Sequence, residues 1–161
     1  MELWDAYDAH LNVIGGQVLV RGEKIPKGVY HLVSEVIVRH QDGIYLLTQR
    51  DSRKNLGGMW EATAGGSALQ GESPLECAKR ELREETGILT DDFIEVGRVL
   101  HQRHQTYYVN YLCHTDVDKE SIVLQEGETS AYKWVTAEEL RQMSREELAT
   151  QRILNFIEEL S

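Results

Sequence analysis

An α/β fold with a mixed sheet between helices is the class this sequence predicts. Three observations lead there. Short apolar runs with strand-like alternation occupy the first third and the stretch from Phe93 to Val135. Tight-turn signals join the early runs. Three capping boxes, Ser73/Glu76, Thr136/Glu139 and Ser144/Glu147, each precede a helical pattern.

In chain order, "LNVIGGQVLVRGEKI" reads as a short hairpin turning at Gly15-Gly16. "YHLVSEVIVRHQDGIYLLTQRD" holds two apolar runs on either side of Asp42-Gly43, a strong hairpin signal. "RKNLGGMWEATAGG" is a glycine-rich loop with little room for a helix. A helix follows, with Ser73 as its cap, Pro74 in its first position and Gly87 as its stop. Leu75, Ala78 and Leu82 fall on one stripe, which should face the core. "FIEVGRVLHQRHQ", "TYYVNYLCHTDV" and "SAYKWVT" read as strands, the second by alternation of Tyr107, Val109, Tyr111 and Cys113. A short helix opens at Thr136, and a last one is expected from Ser144 through Leu160.

The 161 residues suit one domain with a real core. Expected is a single domain over 1–161, with a hairpin extension over about 1–28. The formal net charge of -10 repels nucleic-acid phosphates and anionic membranes, which argues against both as partners. No stretch approaches the ~18 apolar residues of a membrane helix. The N-terminal "MELWDAYDAH" carries charge where a signal peptide would need an apolar run. Cys77 and Cys113 lack CxxC spacing and read as buried thiols of a reducing compartment, so a cytoplasmic location is expected.

The helix after Ser73 carries an electrostatic problem. Glu81, Glu84 and Glu85 stand at i, i+3 and i+4, on one face opposite the apolar stripe. They lie near the negative end of the helix dipole, at a cost of about 0.3–1 kcal/mol per charge. Arg80 can pair with Glu76 and Glu84 but cannot neutralise the set. A solvated face with surface ion pairs is the plain alternative. A hard divalent cation, which takes oxygen ligands and works on phosphate substrates, would resolve the crowding.

"GSALQGESPLECAKRELREETGI" fits G-x5-E-x7-R-E-U-x-E-E-x-G-U at every specified position, from Gly66 and Glu72 through Arg80-Glu81-Leu82 and Glu84-Glu85 to Gly87 and Ile88. By this stretch the chain resembles the Nudix hydrolase superfamily, and "GGMWEATAGG" and "YKWVTAEEL" also look like the family. The resemblance implies a Nudix α/β/α sandwich and metal-dependent hydrolysis of a diphosphate linkage in a small organic substrate. It further implies that Glu81, Glu84 and Glu85 bind Mg2+ or Mn2+. Glu81 is also a candidate to orient or deprotonate the attacking water, with Arg80 holding the carboxylates by ion pairing. The carbonyl of Gly65 or Gly66 is a candidate further ligand. Some members take a base or ligand from a later loop, where Glu126 and Glu128 are the candidates and Glu128 is preferred. Many members of the family dimerise, which leaves a homodimer open by analogy alone, and the residues themselves do not decide the oligomeric state.

The N-terminal stretch and "LLTQRDSRKNLGGMWEATAGG" also resemble the branch that includes isopentenyl-diphosphate isomerase. Counting from Trp60, that branch's catalytic cysteine position is Gly65 and its histidine position is Ser67. Its metal histidine could match His31, but the partner seven residues earlier would be Lys24. An isomerase-like scaffold with hydrolase machinery is the expectation, and His31 reads as a structural or pocket residue. A non-catalytic nucleotide- or metabolite-binding domain is the third reading. Arg50 and Lys54 are candidates for phosphate, and Trp60 with Tyr107 or Tyr108 for stacking. His101, Arg103 and His104 form a basic cluster that could line the same cleft, with alternation sending His104 opposite to the other two. The residues do not choose among a nucleoside triphosphate, a nucleotide sugar, a dinucleotide and an isoprenoid-type diphosphate.

Overall fold

The computed structural model of the protein describes residues 1–151 and 153–160. Twelve elements follow in chain order: β1 (Leu3–Tyr7), β2 (Val13–Val20), β3 (His31–His40), β4 (Tyr45–Arg50), β5 (Trp60–Glu61), β6 (Thr63–Ser67), α1 (Pro74–Thr86), β7 (Phe93–His101), β8 (Thr106–Thr115), β9 (Thr129–Val135), α2 (Ala137–Gln142) and α3 (Ile153–Leu160). Among the described residues, no helix is long and apolar enough to cross a membrane.

The main sheet runs β5-β4-β3-β8-β7, with β6 on β3 and β9 on β4. Among the described strands, β3 and β8 alone pair with each other in parallel, from His31↔Thr106 to His40↔Thr115. β3 and β4 form the expected hairpin at Asp42-Gly43, but only Arg39↔Tyr45 pairs. Beyond that point β6 takes the edge of β3 and β5 the edge of β4. The segment 60–67, expected as loop, is thus a strand pair between diverging neighbours.

The sheet buries both faces. Toward α1 lie Leu32, Val36, Val38, Val109 and Cys113, packed with Ala78 and Leu82. Toward α2 and α3 lie Ile37, Tyr45, Leu47 and Leu112, packed with Leu140, Leu148, Ile153 and Ile157. This is the α/β sandwich with a mixed sheet. α1 begins at Ser73, whose hydroxyl accepts from Glu76 N at 3.1 Å while Glu76 returns the bond. It ends at Gly87, left-handed at φ 78°. Ala78 and Leu82 are buried as expected, but Leu75 is exposed. Cys77 and Thr86 take the remaining inward positions.

Two local readings need correction. The first hairpin does not turn at Gly15-Gly16. Those residues lie inside β2, which pairs with β1, and the turn is 8–12. Asp8 makes that turn by accepting from His10 N at 2.8 Å and Asn12 N at 3.0 Å. The Ser144/Glu147 box exists, but it caps a single turn. Trp60 N donates to Glu147 O and Ala149 N to Trp60 O, so residues 147–149 pair with β5 and helix α3 begins at Ile153. The expected final helix also spans Arg152, which lies outside the described residues.

The β1–β2 hairpin forms its own small sheet and core around Trp4, Ala6, Leu19 and Val29. It docks through reciprocal bonds between Tyr7 and Tyr30, both 2.9 Å, and through Gln70 N to Leu3 O and Gly71 N to Asp5 Oδ2. Trp4 stacks on His31 with ring centroids 4.4 Å apart. Thr106 Oγ1 lies 2.8 Å from His31 Nε2. Burial pushes the His31 imidazole down to about 4.

Two consequences can be measured. Ser73→Ala removes a cap and should cost about 1 kcal/mol in urea unfolding. His31 is held neutral in the folded state while its unfolded value is near 6.5, so the unfolded chain takes up the proton first. Its contribution is therefore present above pH ~6.5 and is lost as pH falls from ~6.5 toward 4. Unfolding curves across this range should show that loss in the wild type and a smaller one in His31→Gln.

Candidate metal and diphosphate site

Strand β6 and helix α1 meet back to face. Gly66 faces α1, and a β-carbon there would stand 2.6 Å from a Glu81 carboxylate oxygen. Gly65 faces β3, and a β-carbon there would stand 2.2 Å from Ser34 O. The pair lets the third turn of α1 lie directly on the strand. Ser34 Oγ donates to Pro74 O at 2.7 Å, and Cys77 Sγ to Gly66 O at 3.4 Å, which fixes the near end of the helix.

On this floor the acids are organised by Arg80. Its Nε and Nη2 donate to the two oxygens of Glu72 at 2.7 and 3.0 Å. Nη1 donates to Glu81 at 3.0 Å and Glu84 at 3.2 Å, and Nη2 also to Ser67 O at 3.1 Å. Glu76, the partner suggested by spacing, is occupied in the helix cap, and Glu72 replaces it. The Glu72 contact above all, against the cost of burial, keeps the Arg80 guanidinium above its ordinary range.

Glu81 and Glu85 are less fully relieved than Glu72. Glu85 accepts from Gly65 N at 3.2 Å and shares a side-chain hydrogen bond with Glu81. Burial first, then the charges of Glu81 and Glu61, raise its carboxyl well above the usual range. Burial also raises Glu81, with Arg80 opposing and Glu84 adding to the shift. These are acids waiting for a counter-charge.

The carboxylates open into a cleft of about 330 Å3 that Gly65, Gly66, Lys54, Glu128 and Gln125 also line. Lys54 and Glu128 form an ion pair across it. Asp51 N donates to Glu128 O at 3.0 Å, tying the two loops together. A larger hollow of about 520 Å3 beside α1 carries none of Glu81, Glu84 and Glu85.

The expected residues separate as follows. Glu81, Glu84, Glu85, Arg80, Gly65, Lys54 and Glu128 converge on the cleft. Glu126 does not line it. Arg50 also stands outside the lining, because it pairs with Glu61 and donates to Asn55 O at 2.7 Å, bracing the 51–59 loop. Trp60 packs with the α2–α3 core beneath Lys133, whose Nζ lies 4.3 Å from the ring centroid. Tyr108 sits in the middle of β8 between Val33 and Val99, away from the lining. His101 and His104 stack at 4.0 Å at the β7–β8 tip, because residues 102–105 turn instead of continuing the strand. Glu2 and Arg21 line the cleft and were not anticipated, since their approach depends on hairpin docking that leaves no local pattern. Cys77 and Cys113 are fully buried, with thiols pushed up to about 12, chiefly by burial.

A family model described as the NUDIX domain matches residues 29–159. The chain belongs to the Nudix family. An uncharacterized Nudix hydrolase of Listeria monocytogenes is 31% identical over 141 residues, covering 87% of this chain and 83% of its own. An uncharacterized Nudix hydrolase of Escherichia coli, YfcD, is 34% identical over 117 residues, 68% of this chain and 61% of its own. In fold, the chain is similar to the crystal structure of DR0079 from Deinococcus radiodurans, with a TM-score of 0.77 at 18% identity and 98% of both chains covered. As a Nudix hydrolase, it is an enzyme that hydrolyses pyrophosphate bonds. Nudix hydrolases generally use divalent metal ions.

The residues present can be tested against such an ion. Among the described residues, no three acidic or imidazole groups already enclose a position for one. Arg80 occupies oxygens of both Glu81 and Glu84. The donor chemistry nevertheless fits: the groups are carboxylate oxygens on a glycine floor, and two are under-compensated.

Because Glu85 is raised, its ionised form costs folded-state stability that grows as pH rises above the ordinary carboxylate range. Glu85→Gln should therefore raise the melting temperature of the metal-free protein at pH 7.5, by roughly 2–4 °C per kcal/mol relieved. Added Mg2+ should raise the wild-type Tm and leave Glu85→Gln nearly unmoved. The two glycines should fail differently. Gly65→Ala drives a β-carbon into backbone and should cost about 1–3 kcal/mol, whereas Gly66→Ala meets a movable carboxylate, so it should fold but lose activity.

Proposed function

We propose that the protein is a Mg2+- or Mn2+-dependent pyrophosphohydrolase acting on a small organic diphosphate of nucleoside-diphosphate or related type. The observation that carries the reading is the convergence of Glu81, Glu84 and Glu85 on the floor of a cleft that also presents Lys54, with burial raising the Glu81 and Glu85 carboxyls. Glu81, Glu84 and Glu85 would hold the ion, with the Gly65 backbone beside them. When bound, a divalent ion would neutralise diphosphate charge and acidify an attacking water.

The chain's own residues would do the rest. Lys54 binds a phosphoryl oxygen once its ion pair with Glu128 opens. Arg80 is a positioning residue, fixing Glu81 and Glu84 through Glu72 and the Ser67 carbonyl. Glu81, with its raised proton affinity, or Glu128, the acid of that ion pair, takes the proton of the attacking water. The isomerase reading gains no support, since position 65 is glycine and both thiols are buried.

The test is product release from a panel with Mg2+ or Mn2+: nucleoside triphosphates, nucleotide sugars, dinucleotides, isopentenyl diphosphate and ADP-ribose. The last is included because a Shewanella oneidensis NrtR Nudix domain was crystallised with it. Cleavage of a panel member should need the metal and should fall about 100-fold or more in Glu84→Gln and Glu85→Gln. Comparing Glu81→Gln with Glu128→Gln assigns the base by the larger fall in kcat, about 100-fold or more. Tight binding of one compound with no turnover of any would sink the catalytic assignment.

A further inference from the structure

The cleft is larger than the segment that the family model matches. That match begins at residue 29, yet Glu2 and Arg21 form part of the cleft lining. Both belong to the open end of the β1–β2 sheet, opposite its 8–12 turn, where Arg21 N donates to Glu2 O at 3.0 Å beside the Leu3↔Val20 pair. That end is firmly placed. Leu3 O and Asp5 Oδ2 accept from Gln70 and Gly71, in the loop leading into α1, and Trp4 stacks on His31. The Glu2 carboxylate accepts from Trp4 Nε1 at 2.8 Å.

Three cations line the cleft, and their commitments differ. Arg80 is saturated by Glu72, Glu81, Glu84 and the Ser67 carbonyl. Lys54 is paired with Glu128. Arg21 makes only long contacts, 3.4 Å from Nη1 to each Glu2 oxygen, and its side chain is 68% exposed. A guanidinium carries five N–H donors in a fork that matches two phosphoryl oxygens. Contacts at 3.4 Å leave most of that capacity unspent. Arg50, the arginine expected to meet phosphate, is committed to Glu61 and Asn55.

We propose that Arg21 is a substrate-binding residue that holds the outer phosphoryl group of the diphosphate at the cleft mouth. The docked hairpin thereby helps to select which diphosphates the site accepts. This rests on the reading of the cleft as a pyrophosphohydrolase site. The carboxylates hold one end of a phosphate chain from below, and Arg21 meets the other from the mouth.

The test is calorimetric binding of methylenediphosphonate, which cannot be hydrolysed at its bridge, to the full chain in Mg2+. The wild type is compared with Arg21→Ala, Arg21→Lys, Glu85→Gln and, as a charge control outside the cleft lining, Lys119→Ala. Arg21→Ala should weaken binding about 10-fold, the size of a lost charge-assisted contact, with an unchanged Tm. Arg21→Lys should recover part of the loss, and Lys119→Ala should bind like the wild type. Wild-type affinity in Arg21→Ala overturns the proposal. So does an equal fall in Lys119→Ala, which would reduce the effect to net charge. A lowered Tm in Arg21→Ala with no recovery in Arg21→Lys also overturns it, by making the residue structural. These failures leave the metal site intact, because Glu85→Gln would still abolish binding. Undiminished binding in Glu85→Gln, or none in the wild type, removes the site reading itself and this proposal with it.

Discussion

The close approach of helix α1 to strand β6 is the constraint on which the rest depends. Only a residue without a β-carbon at position 66 lets the Glu81 carboxylate rest on the strand, and only glycine at 65 lets the strand lie so close to β3. These two contacts set the depth of the cleft floor. They also bury Glu81 and Glu85 far enough to raise their proton affinity. A wider spacing would admit water, restore ordinary carboxylates and leave a surface patch of acids. The divergence of β3 from β4 serves the same end, since it makes room for residues 60–67 to present the glycines beneath the helix.

Arg80 turns this crowding into geometry. Five acceptors surround one guanidinium, two of them on Glu72, which precedes the helix. The loop before α1 is thereby tied to its later turns, and Glu81 and Glu84 are held in defined rotamers instead of repelling each other into solvent. The dipole argument made these charges look costly. The structure adds that burial is the larger effect on Glu81 and Glu85.

Much of this was legible because it is local. Cap, proline, apolar stripe and carboxylate spacing lie within Gly66–Ile88, and each is a short-range rule acting on contiguous residues. Lys54 and Glu128 were legible as charged loop residues flanking that segment. Failures cluster where distant residues decide. Trp60 read as a stacking platform but is drawn to the opposite core, where its backbone pairs with Glu147 and Ala149 and so unwinds the start of the expected last helix. Arg50 read as a phosphate ligand, but the 51–59 loop folds back on it. Glu2 and Arg21 had no signal, since nothing near them in sequence announces where the hairpin docks. Gly15-Gly16 mimicked a turn, but Asp8 had the better turn chemistry.

The Arg80 and Lys54 pairings have a consequence for how such an enzyme comes into being. Each places a positive group of the chain beside acids that would otherwise repel, so much of the charge balance exists before any ion arrives. In small zinc-binding domains the metal supplies the folding energy, and the apo chain is unfolded. Here the sandwich rests on two apolar cores, one of them anchored on the inward face of α1 by Ala78 and Leu82. The apolar cores let the polypeptide leave the ribosome and fold without waiting for an ion to supply its folding energy.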